Sequence, residues 1–297
     1  MVYVEGSTQK TPGIASLSFL PRCRRYADRV TAENPTMSRP STTRLKWEIA
    51  IVLALSFGAS AVYAVVAIVE RVTRETSLAS QTATINRALS ERPWFDLVYQ
   101  LLGFTFGLAP VALVIFLLWR ERRPHLSRLG FGRSTGLKQS WWITETGGGV
   151  LLAAAIGIPG LGFYLATKAL GINVTVVPTT LDTAWWTVPV LVLAALRAAL
   201  GEEFIVVAYL FDRLRRLGLG TTTIIVVSAV LRGTYHLYQG FGGFLGNVIM
   251  GLVFGWIYRR TGRVLPLVVA HWVLDIVSFA GYPLALAWWP ELFGVAT

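Results

Sequence analysis

The segment Gly201–Arg216, GEEFIVVAYLFDRLRR, decides how the chain is read. Glu202 and Glu203 stand side by side. They are preceded by AWWTVPVLVLAALRAALG and followed by FIVVAYL, a run apolar and long enough to cross a bilayer. A charge at mid-bilayer costs roughly 2.5–3.5 kcal/mol on insertion scales, so two neighbouring carboxylates there require a chemical reason.

The solvent follows from composition. The chain is 54% hydrophobic and 14% charged, which suits a membrane protein with several spanning helices rather than a soluble domain. Apolar stretches near Trp47–Val69, Leu97–Trp119, Gly147–Thr167, Ala184–Leu210, Thr221–Tyr238, Gly243–Tyr258 and Val264–Tyr282 are the expected spans. PLALAWWPELFG, from Pro283, reads as a short eighth helix or an interfacial one. The expected fold class is therefore all-α: a polytopic membrane helix bundle of seven or eight transmembrane helices.

The net charge of +11 follows topology, not nucleic-acid binding. Basic residues gather in SRPSTTRLK, RERRPHLSRLGFGR, DRLRR and YRRTGR, at alternate ends of successive spans. This places the amino terminus on the cytoplasmic side of a cell membrane and makes the lipid bilayer a partner. The mixed-charge loop RVTRETSLASQTATINRALSERP and the nearly uncharged GINVTVVPTTLDT are expected outside.

Three regions follow: a disordered cytoplasmic tail over 1–44, N-terminal helices over 45–183 and a catalytic core over 184–297. The tail is polar, lacks a signal-peptide h-region and holds the sole cysteine, Cys23, so no intrachain disulfide forms. MSRPSTTRLKWEIA, from Met37, resembles an ordinary start to a membrane protein. No P-loop, dinucleotide fingerprint or zinc-type cysteine spacing is present, and no cofactor is expected.

Polar residues inside the other spans narrow the function. VLRGTYHLYQG places Arg232 and His236 four residues apart, and PLVVAHWVLDIV does the same for His271 and Asp275. Singly, a helix histidine is as readily a hydrogen-bonded packing residue, with Asp275 fixing the tautomer of His271. As a set, Glu202, Glu203, His236, His271 and Asp275 are too costly for packing alone and are expected to line one polar cavity. Adjacent glutamates lie about 100° apart on a helix, so one is expected at the reactive centre and the other on a neighbouring helix or basic partner. In GFGGFLGNVIMGLVFGWIY, Gly242 with Gly246 and Gly251 with Gly255 form two close-packing pairs. Asn247 is a secondary candidate for the cavity.

These motifs resemble the CAAX protease and bacteriocin-processing (CPBP, or Abi) family of intramembrane proteases, related to the type II CAAX prenyl endopeptidases. That family carries EExxxR, FxxxH and HxxxN or HxxxD on successive helices. Here the matches are EEFIVV at Glu202–Val207, RGTYH at Arg232–His236 and HWVLD at His271–Asp275. Two positions depart: Val207 stands where the arginine belongs and Arg232 where the phenylalanine does. Arg232 is expected to return the guanidinium from the opposite side, with Arg197 as the second supporting candidate.

The resemblance implies a glutamate-dependent hydrolase acting on a peptide or protein substrate at the membrane. Glu202 and His236 would activate a water, and His271 and Asp275 would stabilise the oxyanion. Asp275 then acts protonated or by orienting His271, since an ionised carboxylate repels an oxyanion. The resemblance implies no metal, although a Glu-His-His site is chemically feasible without an HExxH motif. A proton-coupled transporter and a non-catalytic binding or immunity-type relative remain the alternatives. Loss of peptide cleavage on replacing Glu202 separates them.

Overall fold

The computed structural model describes residues 41–118, 141–182 and 184–281, with positions 284 and 288. The expected tail up to residue 40, the RERRP segment and most of the stretch from Pro283 lie outside the described residues. Helix α1 (Thr42–Ala54) begins inside the expected tail, where the Ser41 hydroxyl accepts the Arg44 N–H at 3.2 Å. It is followed by α2 (Phe57–Val72), α3 (Pro93–Gly107), α4 (Ala109–Leu118) and α5 (Trp141–Ala169). The motif region contributes α6 (Thr187–Glu202), a π-helical turn over Glu203–Tyr209, α7 (Leu210–Arg216), α8 (Thr221–Tyr235), α9 (Phe241–Thr261) and α10 (Leu265–Ile276), with a second π turn over Val277–Gly281.

Among the described residues, the long apolar helices capable of crossing a membrane are Pro93–Leu118, Trp142–Ala169 and Phe241–Thr261. The pair α1 and α2 makes a fourth if counted as one broken span. The first expected span is thus two helices bent by 57°. Its cause is local: the Ser56 hydroxyl turns back to the Val52 carbonyl at 2.7 Å, and Gly58 lets the chain pass Leu53. The motif-bearing helices do not reach the same standard. Thr221–Tyr235 has only 15 residues, and the Thr187–Arg216 stretch carries Arg197, Glu202 and Glu203.

The core centres on that stretch. Every residue from Gly201 to Phe211 is buried, the pattern of a helix surrounded on all sides. Val52, Val111, Val114, Ala153, Ile224, Phe254 and Leu267 pack around it from α1, α4, α5, α8, α9 and α10. The outer helices expose Tyr63, Phe106, Leu151 and Ile158, a perimeter suited to lipid. At one end Arg213, 4% exposed, ties three elements together. Its Nε donates to Glu48 at 2.7 Å, and its Nη2 donates to the Leu117 carbonyl at 2.6 Å.

The helix-packing glycines behave as their spacing predicts. A Cβ on Gly251 would lie 2.8 Å from the Ala229 Cα, while Gly255 faces Ile225, so this pair seats α9 on α8. Gly242 and Gly246 face Thr167 and Phe163 of α5. Gly251→Ala pushes against backbone that cannot rotate away. Overpacking of this kind typically costs about 1–3 kcal/mol, to be read as a lower thermal midpoint of the detergent-solubilised protein. An unchanged midpoint would mean that α8 and α9 are not held at this distance.

Among the described residues, the departure from an all-helical chain lies in two loops. β1 (Thr82–Asn86) pairs in parallel with β2 (Thr175–Thr179), Thr82 opposite Thr175 and Asn86 opposite Thr179. The β-branched residues in TATIN and TVVPT favour extended backbone. The two loops expected on the external face are thereby joined at one end of the bundle.

Candidate active site

The site forms where three helices meet. Glu202 closes α6, Glu203 opens the π turn, Arg232 and Tyr235 lie in the last turn of α8, His236 caps that helix, and His271 and Asp275 lie on α10. Glu202 is 5% exposed, Glu203 0%, Arg232 1% and His271 5%. Four ionisable groups are therefore removed from bulk solvent together, which is tolerable only if they pair.

They do pair. Nη2 of Arg232 donates to Oε1 of Glu203, and Nε of Arg232 lies 3.6 Å from Oε2 of Glu202. The sequence expectation that adjacent glutamates need separate partners is corrected here. A guanidinium presents donors on more than one edge, so Arg232 reaches both. A π turn begins at Glu203, altering the angular spacing along this segment. His271 also meets Glu203, with Nδ1 2.8 Å from Oε1, while its Nε2 is 3.5 Å from Asp275. Beneath Arg232, the Phe254 ring lies 5.2 Å from the guanidinium carbon. Val207, where the family arginine would stand, is a core residue at 1% exposure.

Glu202 is held differently. The Tyr235 hydroxyl donates to its Oε2 at 2.7 Å, and the carboxylate interacts electrostatically with His271, Arg232 and His236. Its Oε1 has no hydrogen bond among the described residues. His236 lies beside Tyr235, the ring centroids 4.8 Å apart, and its Nδ1 meets the Arg232 carbonyl at 2.9 Å. A carbonyl only accepts, so Nδ1 carries the proton and the neutral ring keeps its lone pair on Nε2. Glu203 Oε2 and Arg232 Nη1 are buried without a partner among the described residues, a cost that functional sites carry more often than plain cores.

Two secondary candidates lie elsewhere. Arg197 does not reach the glutamates; its Nη1 points to the Gly103 carbonyl at 3.5 Å, beside α3. Asn247 donates to the Gly243 carbonyl of its own helix at 2.9 Å, not into the cluster. Sequence reasoning misses Tyr235, although its place beside His236 in RGTYH is a usable signal. It misses Asn173 as well. That side chain is 2% exposed, donates to Thr167 Oγ1 at 2.8 Å and accepts the Gly243 N–H at 3.1 Å. Asn173 also bridges Gly240, whose φ of 105° and contact with the Ile172 carbonyl leave no room for a side chain. The loop following His236 is thus fastened to the segment preceding β2.

A family model described as type II CAAX prenyl endopeptidase Rce1-like matches residues 184–277, about a third of the chain. The matched span covers α6 to α10, and all three motifs fall within it. No curated protein and no solved structure matches the chain.

Proposed function

We propose that this chain is an intramembrane endopeptidase of the CAAX-protease type, in which Glu202 and His236 activate a water to hydrolyse a peptide bond. The observation that carries the reading is the convergence of Glu202, Glu203, Arg232 and His271 from three helices on one buried cluster, within the region that matches the peptidase family. Its substrate is a peptide or protein at the membrane. The motif-bearing helices α6–α7, α8 and α10 cross the bilayer with the long apolar ones, for seven or eight spans, and the amino terminus is cytoplasmic.

In this mechanism, Glu202 Oε1 takes a proton from water while the water oxygen bonds to the scissile carbonyl carbon. The carbonyl π pair moves onto oxygen. His271, oriented by Asp275, stabilises that oxyanion, and His236, with Nε2 as its lone-pair side, shares the proton work. Collapse of the tetrahedral intermediate breaks the C–N bond, and the transferred proton goes to the leaving amine. Glu203 and Arg232 do not react in this scheme. They hold His271 and Glu202 in place.

The test is cleavage of membrane-anchored peptides, prenylated and unprenylated, by purified protein. No cleavage of any would favour the binding or immunity-type reading. Proton-coupled uptake into vesicles would favour the transporter. Stoichiometric zinc, with activity lost on chelation and restored by metal, would recast Glu202, His236 and His271 as ligands. Tyr235→Phe is expected to lower kcat about tenfold or more, because a hydrogen bond to a charged group contributes roughly 1.5–3 kcal/mol. A rate unchanged in Tyr235→Phe would remove Tyr235 from the site.

A further inference from the structure

Arg197 is exposed on α6 and has no acidic partner among the described residues. An arginine in an apolar helix usually faces a partner or a polar cavity. Here there is a cavity, about 290 Å³, between α3, α6 and the segment leaving β1. Leu89, Phe104 and Leu193 supply apolar wall; Asn86, Arg87, Gln100 and Arg197 supply the polar groups. No carboxylate lines it among the described residues.

The site is built, not incidental. Asp96, 2% exposed, accepts the Leu89 N–H at 2.7 Å and the Gln100 amide at 3.3 Å, while Gln100 donates to the Arg87 carbonyl at 3.0 Å. These bonds fasten to α3 the segment after β1 that carries Arg87. A Cβ at Gly107 would lie 2.5 Å from Arg197 Cδ, so the arginine stem needs that glycine. A Cβ at Gly103 would meet nothing within 4 Å, which leaves the groove open beside the guanidinium. Exposed Leu101 and Val188 continue the apolar surface outward along the same two helices.

Two guanidiniums with no acidic partner among the described residues, in an apolar groove, call for an occupant with an anionic group and an apolar tail. We propose that this groove binds an anionic phospholipid, its phosphate held by Arg197 and Arg87 and its acyl chains lying along α3 and α6. Basic side chains between membrane helices recognise headgroup phosphates through this chemistry, and because Arg87 lies in the loop expected outside, the lipid is one of the external leaflet. None of these residues belongs to the glutamate cluster, so the groove stands apart from the peptidase reading.

The test is lipid retention by the full chain, delipidated in detergent, titrated with phosphatidylglycerol or phosphatidylcholine of identical acyl chains and weighed by native mass spectrometry. The protein should keep the anionic lipid with a preference on the order of tenfold. The Arg87→Gln, Arg197→Gln double variant should lose the preference. Gly103→Phe should also lose it, by filling the groove with both charges intact, so the test survives if the double variant fails to fold. Equal retention of the two lipids, or a preference unchanged in both variants, overturns the proposal. Binding of inorganic phosphate without any lipid preference also overturns it, since the site would then serve a free anion.

Discussion

On the proposed mechanism, Glu202→Gln is expected to lower kcat for peptide cleavage by about 10²–10⁴-fold, the usual contribution of a general base, and to leave the fold intact. The amide keeps an oxygen to accept the Tyr235 hydroxyl and retains nearly the same volume, but it cannot take a proton from water. The substitution therefore separates chemistry from packing. Glu203→Gln serves as the contrast, because Glu203 is fully buried between Arg232 and His271 and its loss should register first in stability. Turnover in Glu202→Gln within tenfold of the parent, in a folded protein, would move the base to another group and sink the assignment.

Arg232→Ala should lower stability by about 3–5 kcal/mol, the usual result of removing one partner from a buried ion pair. Glu203, at 0% exposure, would lose the guanidinium that pairs with it, and Glu202 would lose its cation on α8. Thermal unfolding in detergent reads this directly. Arg197→Ala is the control and should stay within about 0.5 kcal/mol, as surface substitutions usually do. The reverse ranking, with Arg197→Ala harmful and Arg232→Ala neutral, would contradict the geometry of both arginines.

The Arg232 pairing is legible in the sequence because it follows from a balance of charges. A motif lacks its arginine on one helix and carries an extra one on the next, and two carboxylates have to be neutralised. The same logic does not decide between Arg232 and Arg197, since that depends on which side of α6 meets α8. It also misreads the glutamates. A regular helix would send them in different directions, but one planar cation has edges enough for both. The π turn that starts at Glu203 leaves no mark in hydropathy, because its residues FIVVAY would be equally apolar in an α-helix.

Hydropathy likewise locates the apolar stretches but not their breaks. Ser56 bends the first span through a single side-chain hydrogen bond, an effect that an average over about twenty residues does not register. The strands escape for a similar reason. Five-residue segments are too short to announce themselves, and each becomes a strand only by meeting the other, about ninety residues away.

That separation has a consequence for how the molecule is made. On a ribosome, β1 emerges long before β2, and α3, α4 and α5 must all be synthesised and placed before the two can meet. Every residue of the glutamate cluster is encoded after β2. The parallel ribbon can therefore close only after α3, α4 and α5 have been made, and before the buried Gly201–Phe211 stretch that α4 and α5 pack around has appeared. Asn173, immediately ahead of β2, is likewise made before its partners Gly240 and Gly243, which arrive within a few residues of His236. Synthesis thus has a direction: the amino-terminal helices and the ribbon come first, and the central stretch carrying Glu202 and Glu203 is inserted among them afterwards, supplying the core for both halves.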